Sequence, residues 1–211
     1  MADASARTDI VNMALDELGQ KTIQSIEAPN NAVEKIGARI FPLVCKSLLR
    51  SHIWNFAIKR ENISRYPDAP AFGYADKYQL PNDFVRVVGI GKDDIEYYNE
   101  QFSVEDGFIL LDNGGASPLK LRYVYYNDNV VTWDSAFTEL MVAKLAAKMA
   151  IPVTGEVKLA QYHDSIFSAM FAEVISVDSQ DTEITLIDSQ PAVHARYRYG
   201  AYRDDRSKYP G

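Results

Sequence analysis

The N-terminal third of the chain repeats its apolar residues at the spacing of an α-helix. The first stripe predicts a helix that Thr8 or Asp9 caps and Gly19 ends, and it consists of Ile10, Val11, Ala14, Leu15 and Leu18. A linker over residues 21–29 follows, in which Ile23 and Ile26 are expected to return to the core. A second helix is predicted from Asn30 or Asn31 to about Arg50, kinked at Pro42, with an apolar face of Val33, Ile36, Ile40, Leu43, Val44 and Leu48.

The helical period ends at Trp54, and prolines, aromatic residues and β-branched residues fill the chain to Tyr126. Strands are predicted over residues 84–90, 96–102 and 108–111, with a turn over Glu105–Gly107. Strict alternation over residues 119–125 predicts a half-exposed strand, and Asp112–Gly115 predicts another turn. The middle of the chain therefore predicts a small antiparallel β module.

Helical spacing returns after the cap pair Asp134-Ser135. A third helix is predicted to about Ala150, where Pro152 and Gly155 break the chain, with an apolar face of Phe137, Leu140, Met141, Leu145 and Met149. A last helix is predicted over residues 156–177, with Leu159, His163, Ile166, Met170 and Val177 on one side.

These elements predict an α+β fold, an antiparallel helical bundle with an inserted small antiparallel β module and an extended C-terminal arm. Residues 1–53 and 134–178 form the two parts of the bundle. Residues 54–133 form the β module, and residues 179–211 form the arm.

The composition is that of an ordinary globular protein, at 47% hydrophobic and 24% charged residues. The net charge of -7 disfavours a sequence-reading nucleic-acid binder, since such proteins present a basic face, although a local basic patch stays possible. No signal peptide or membrane-spanning run is expected. The lone Cys45 lies among apolar residues and is interpreted as a small buried hydrophobe.

Candidate catalytic chemistry is sparse, so the chain is not expected to be an enzyme. Adjacent acidic residues on a helix or turn usually point into water, which applies to Asp16-Glu17, Asp93-Asp94, Glu105-Asp106 and Asp204-Asp205. No histidine has a second one at metal-ligand spacing, and His52, His163 and His194 are interpreted as packed or capping side chains. No catalytic site, metal or cofactor is predicted.

The C-terminal segment is the one compositional anomaly. It is rich in tyrosine and arginine and poor in aliphatic residues, so it cannot build a core of its own. A frayed terminus, an interface arm and a single-stranded nucleic-acid platform are all compatible with it. The interface hypothesis rests on Arg196, Tyr197, Arg198, Tyr199, Tyr202, Arg203, Arg206 and Tyr209.

Four motifs occur in order: I-x-N-x-A-L-x-x-L-G over residues 10–19, I-x-S-I over 23–26, L-L-x-x-H-x-W-N-F-A over 48–57 and Y-x-L-P-x-D-F-x-R-V over 78–87. With these motifs the chain resembles the tail tubular protein A, or head-to-tail adaptor, family of short-tailed phages. The resemblance extends from Ile10 to Val177. Trp54 and Phe56, which alternate after a helix end, are expected to anchor the junction between bundle and β module.

The resemblance implies a structural protein of the virion, located in the tail connector and assembled in the host cytoplasm. Its subunits would form a ring, a dodecamer, between a portal protein and a tail nozzle protein. The ring would retain DNA after packaging and let it pass on ejection without sequence-specific binding or a membrane anchor. An adaptor with a secondary glycan or cell-wall hydrolase activity is the alternative.

Overall fold

The computed structural model describes residues 2–91 and 102–181. Contacts divide the chain into a unit of residues 1–175, which holds every described element except the last turns of α4, and a second unit of residues 176–211. The described residues form four α-helices, two short 3₁₀-helices and six strands, an α+β fold as predicted. The helices are α1 (Ala2–Glu17), α2 (Ala32–Ser51), α3 (Ser135–Thr154) and α4 (Val157–Asp181), and the 3₁₀-helices are Asn55–Ala57 and Val130–Thr132.

The β module consists of two three-stranded antiparallel sheets. The first has the order β1-β6-β3, formed by Ile58–Ile63, Leu119–Tyr125 and Phe84–Gly91. The second has the order β2-β5-β4, formed by Asp76–Gln79, Phe108–Leu111 and Phe102–Glu105. Strands β1 and β2 were not predicted, because β1 carries Lys59, Arg60, Glu61 and Asn62 in succession and shows no apolar alternation.

Strand β6 separates two hydrophobic cores. Leu119, Leu121 and Tyr123 face the core shared with the second sheet. Val124, on the opposite face, is fully buried in the core of the helices. The prediction of a half-exposed strand was therefore wrong in part, since only Lys120 of this strand is exposed.

Strand β3 joins the same helical core through two bulges. Its pairing with β6 shifts between Phe84 and Arg86 and again between Val87 and Gly89. Each shift adds one residue, Val85 or Val88, and both valines are buried with the helices. The bulges therefore attach the first sheet to the bundle.

Helix α1 begins at Ala2, so the prediction that Thr8 or Asp9 caps it was wrong. Alanine favours the helix, and the helix continues through the segment that precedes Asp9. Thr8 instead accepts a hydrogen bond from the backbone N–H of Ile26 at 3.3 Å. The C-terminal end is as predicted: Gly19 has φ +64°, and the amides of Gly19 and Gln20 close a Schellman motif.

Polar side chains hold the linker between α1 and α2. The Asn12 amide donates to the Ile23 carbonyl at 3.2 Å and accepts from the Ile23 N–H at 2.8 Å. These two bonds fix the linker while Ile23 and Ile26 are buried in the core, as predicted. The buried polar backbone of the turn is thereby satisfied.

Asn31 caps α2 through a capping box with Glu34. The Glu34 carboxylate accepts from the N–H groups of Asn30, Asn31 and Gln24. The Asn30 hydrogen bond is the largest cause that lowers the pKa of Glu34; burial opposes it, and the other two amides add to it. One buried carboxylate thus organises both the start of α2 and the linker before it.

Two helical predictions and one turn prediction also need correction. Leu43 was placed on the apolar face of α2 but is 71% exposed, because the buried stripe of this helix consists of Phe41, Val44, Cys45, Leu48 and Leu49 and Leu43 lies outside it. Helix α3 continues past Ala150 through Pro152, since a proline in the last turn removes only one donor, and it ends at Gly155 with φ +77°. Of the strand predicted over residues 96–102, residues 96–101 lie outside the described residues. Strand β4 extends from Phe102 to Glu105, so the turn is the two-residue pair Asp106-Gly107, both with positive φ.

The capping role of Glu34 predicts a pH-dependent loss of stability in Glu34→Gln. The folded-state pKa lies below the ordinary value of 4.5, so the carboxylate stabilises the fold above that pH and loses its effect as the pH falls through the folded pKa. Urea unfolding should therefore show a deficit in Glu34→Gln that is largest at neutral pH and shrinks on acidification. Glu139→Gln, at an exposed position of α3, is the control, and an equal or pH-independent deficit in both variants would contradict the assignment.

Candidate functional site

Trp54 and Phe56 lie where the chain leaves α2 for the β module. Trp54 is 3% exposed, and its indole N–H donates to the Leu48 carbonyl at 2.9 Å, within the last turns of α2. Phe56 is half-buried in the following 3₁₀-helix, and the two ring centroids are 6.2 Å apart. The indole both fills the core and satisfies a carbonyl near the helix end.

Phe137, in the first turn of α3, connects these two rings with the second crossing between bundle and β module. Its ring is fully buried and meets Trp54 at 5.0 Å, Phe56 at 4.9 Å and Trp133 at 5.0 Å, in edge-to-face geometry. Trp133 directly precedes the cap of α3. We call Trp54, Phe56, Trp133 and Phe137 the aromatic junction, because their rings connect the segment that follows α2 with the segment that precedes α3.

Trp133 has a polar anchor of its own. Its indole N–H donates to the Asn127 carbonyl at 3.0 Å, and the Cys45 thiol contacts the same oxygen at 3.6 Å. Burial, with a smaller effect of Asp128, raises the pKa of Cys45 to about 12, so the thiol stays protonated. Cys45 is therefore a buried small residue, as predicted, and it supports the aromatic junction from α2.

An open groove of about 800 Å³ lies between the end of β1 with the residues that follow it and residues 79–83, which lead from β2 to β3. Its lining is mixed, with apolar Ile63, Leu80 and Pro81 beside carboxylate, amide and guanidinium groups and one aromatic ring. The polar and aromatic members include Glu61, Asn62, Arg65, Tyr66, Gln79 and Asp83. Two carboxylates of this groove converge on one phenol. The Tyr123 hydroxyl lies 3.0 Å from Glu61 Oε2 and 2.9 Å from Asp83 Oδ1.

Electrostatics fix the protonation of this cluster. Burial tends to raise the pKa of Asp83, but hydrogen bonds from Lys59 and Tyr123 outweigh it, so the pKa is lowered. Burial, with the two carboxylates, raises the pKa of Tyr123, so the phenol keeps its proton. Asp83 is thus an ionised acceptor held between an ammonium and a phenol, and Glu61 is the more exposed of the two acids.

The buried carboxylate of Asp76 holds the loop that connects β5 to β6. Asp76 accepts from the N–H groups of Gly115 at 2.9 Å and Asn113 at 3.2 Å, and it pairs with the Arg65 guanidinium. The Gly115 hydrogen bond is the main cause that lowers the pKa of Asp76 against the opposing effect of burial. This pairing fixes the turn at residues 112–116, and it is structural in character.

The structure describes two of the four acidic pairs that were predicted to point into water. Asp16 and Glu17 are exposed, although Glu17 lies 3.4 Å from Nδ1 of the buried His163, and burial raises its pKa. Glu105 is the exposed last residue of β4, where it accepts a hydrogen bond from Ser103, and Asp106 is the first residue of the turn that follows. Asp93-Asp94 and Asp204-Asp205 lie outside the described residues.

Of the described histidines, His163 is packed as predicted, and the His52 ring meets Trp54 at 5.0 Å. His194 and the eight tyrosines and arginines of the proposed interface arm lie outside the described residues. The junction residue that sequence reasoning missed is Trp133. Its signal was a lone tryptophan directly before a helix cap.

A scan against models of known protein families finds no match to this chain, and a search of curated protein sequences finds none either. None of the helices in residues 2–91 and 102–181 combines the length and the apolar composition that a membrane crossing requires. Within the same residues, no three histidine, cysteine, aspartate or glutamate side chains converge as a metal-binding group.

The aromatic junction predicts a large cost for Trp54→Ala. The substitution leaves a cavity beside Phe137 and removes the indole donor, so it should destabilise the protein by about 3–5 kcal/mol in urea unfolding. Phe72→Ala is the matched control, since Phe72 is 89% exposed, and it should change stability by about 0.5 kcal/mol at most. Equal stability of Trp54→Ala and wild type would rule out the junction as a stabilising contact.

Proposed function

We propose that this chain is a structural protein of the virion, a head-to-tail adaptor of the kind found in short-tailed phages. Its subunits form a ring, a dodecamer, between the portal and the tail nozzle. The ring retains packaged DNA and lets it pass on ejection. In this proposal the protein works by assembly and has no catalytic centre.

The observation that carries the proposal is that the motif positions are those that tie the fold together. Asn12, from the first motif, holds the linker at Ile23, the residue that opens the second. Trp54, from the third motif, fills the aromatic junction. Asp83, from the fourth, anchors Tyr123 of the central strand. The resemblance therefore covers positions that determine a fold, which supports a common fold more strongly than a chance run of similar letters would.

The C-terminal arm is the proposed contact with neighbours. Residues 192–209 combine tyrosine and arginine, the side chains enriched at binding hot spots. A segment that becomes ordered on binding loses about 1–2 kcal/mol of backbone entropy per residue, so it needs many contacts on its partner. Stacked tyrosines and arginine–carboxylate pairs on a neighbouring subunit or on the portal can supply them.

Assembly of the full chain tests the proposal, and the last helix that the structure describes ends at Asp181, before the tyrosine- and arginine-rich segment. A chain ending after Asp181 should stay soluble and folded but form no stable ring, or should fail to attach to a portal protein, in mass photometry of purified components. A full-length variant with serine in place of Tyr197, Tyr199, Tyr202 and Tyr209 should behave alike if the side chains are responsible.

Two outcomes would count against these assignments. If the shortened chain assembles as tightly as the full one, the arm is not the contact, and the ring must form through another surface. If the full chain remains a monomer with and without the portal and nozzle proteins, the adaptor function itself is wrong.

An adaptor with a secondary glycan-hydrolase activity is the second candidate, and the groove supplies the observation that favours it. Glu61 and Asp83 present carboxylate oxygens within about 6 Å of each other through the Tyr123 hydroxyl, and glycosidases use carboxylate pairs at comparable separations. Against it, Lys59 and Tyr123 already engage Asp83.

A reducing-end assay on soluble bacterial polysaccharide decides between the two candidates. We expect no cleavage by the purified wild-type protein. If cleavage does occur, and Glu61→Gln or Asp83→Asn abolishes it while the exposed control Glu105→Gln leaves it intact, the hydrolase candidate replaces the purely structural one.

A further inference from the structure

The exposed charges of helices α1 and α2 are separated by sign. On α2 the exposed charged side chains are all basic: Lys35, Arg39, Lys46 and Arg50. The acidic residue of this helix, Glu34, is buried and accepts from backbone amides. In the part of α1 whose side chains the structure describes, the exposed charged residues are all acidic: Asp9, Asp16 and Glu17. Two consecutive helices of the bundle thus present opposite charges to solvent.

On α2 the cations flank an exposed apolar side chain. Leu43, which is 71% exposed, follows Arg39 by four positions and precedes Lys46 by three. Residues at this spacing lie on one face of a helix. We call Arg39, Leu43 and Lys46 the basic stripe.

Helix α1 carries the acidic counterpart at the same spacing. Met13, which is 48% exposed, follows Asp9 by four positions and precedes Asp16 by three. We call Asp9, Met13 and Asp16 the acidic stripe. At a rise of about 1.5 Å per residue, both stripes are about 10 Å long. The apolar centre of each is exposed, so each stripe remains accessible in a single subunit.

The charges of α2 are arranged against the preference of an isolated helix. Lys35 and Arg39 are four positions apart, as are Lys46 and Arg50, and like charges at this spacing destabilise a helix. Arg39 Nε donates to the Lys35 carbonyl at 3.1 Å, which leaves its charge uncompensated. No described residue forms an ion pair with Lys35, Arg39 or Lys46, or with either carboxylate of the acidic stripe. A surface of opposite charge and equal spacing would relieve this repulsion.

Two facing stripes would have the anatomy of a small protein interface. Leu43 would meet Met13 at an apolar centre, and the cations would meet the carboxylates at a polar rim. Both ends of each stripe carry the same charge, so the pairing is complementary whichever direction the two helices run. Exposed ion pairs are individually weak, so the apolar centre supplies the stability and the charges supply the register.

We propose that the basic stripe of one subunit binds the acidic stripe of a second copy of this chain. The contact joins two different patches, so a pair of copies still offers one free stripe of each kind unless the assembly closes. The same contact can therefore repeat from copy to copy. Only the closure of that series into a ring rests on the proposed function.

Exchange of the charges in the full-length protein tests the inference. Arg39→Glu/Lys46→Glu produces a subunit with two acidic stripes, and Asp9→Lys/Asp16→Lys produces one with two basic stripes. In sedimentation velocity at about 50 mM salt, where screening is weak, each variant alone should self-associate at least about tenfold more weakly than wild type. An equimolar mixture of the two should recover association, because every basic stripe then finds an acidic one.

Two further variants separate the charges from the apolar centre. The chain with all four substitutions has its stripes exchanged and should self-associate like wild type. Leu43→Ser should weaken self-association at least about fivefold. Its urea midpoint in dilute solution should equal that of wild type, because Leu43 is exposed in the single subunit.

The matched control is Glu139→Lys/Glu173→Lys. It adds the same charge as Asp9→Lys/Asp16→Lys, at exposed positions of α3 and α4 that belong to neither stripe. It should self-associate like wild type. Circular dichroism establishes that each variant is folded.

Four outcomes would overturn the inference. They are a wild type that stays monomeric up to its solubility limit, unchanged association of both charge-exchange variants, a mixture that associates no better than its components, and an equal loss in the control. Attachment of the wild type to portal and nozzle proteins is measured separately. If the mixture fails while the wild type attaches to the portal, this contact is wrong and the adaptor proposal stands. If the mixture recovers association but no attachment occurs, the contact stands and the adaptor proposal is wrong.

Discussion

The packing of Phe137 against Trp54, Phe56 and Trp133 is the constraint on which the rest of the fold depends. The chain leaves the helical bundle once, after α2, and returns once, before α3, and this buried ring contacts both crossings. Everything between the crossings is the β module. Both indoles donate to backbone carbonyls near these crossings, so the cluster fixes the backbone as well as burying area. An inserted module stays in a defined position only when its two connections are held in this way.

The first sheet continues that constraint into the β module. Its central strand β6 packs one face against the helices and the other against the second sheet, so this strand contributes side chains to both cores. The bulges of β3 direct Val85 and Val88 to the helical side and place Arg86 beside the end of α2. The same bulges that attach the sheet to the bundle thus also set the position of Arg86 against the last turn of α2.

Much of the helical part follows from local chemistry. The stripe from Ile10 to Leu18, the cap at Asn31 and the glycine at position 19 act through residues only a few positions away in the sequence. The structure accordingly has helices at these predicted positions. Predictions were wrong where a distant contact decided the outcome. Thr8 resembled a cap but bonds Ile26, and β1 showed no strand pattern because its register comes from pairing with β6. The groove carboxylates Glu61 and Asp83 are 22 positions apart in the sequence and meet only through Tyr123.

The sequence by itself determined the α+β class, the order of the four helices around a β module, and the burial of Cys45 and of the linker isoleucines, since periodicity and capping are local properties. It also marked Trp54 as a junction residue from its place after a helix end. Only the tertiary structure decided that Phe137 and Trp133 complete that junction, that one strand serves two cores, and that β1 pairs with β6. These are matters of strand register and of packing between segments far apart in the chain, and no local pattern records which strand a residue will lie beside.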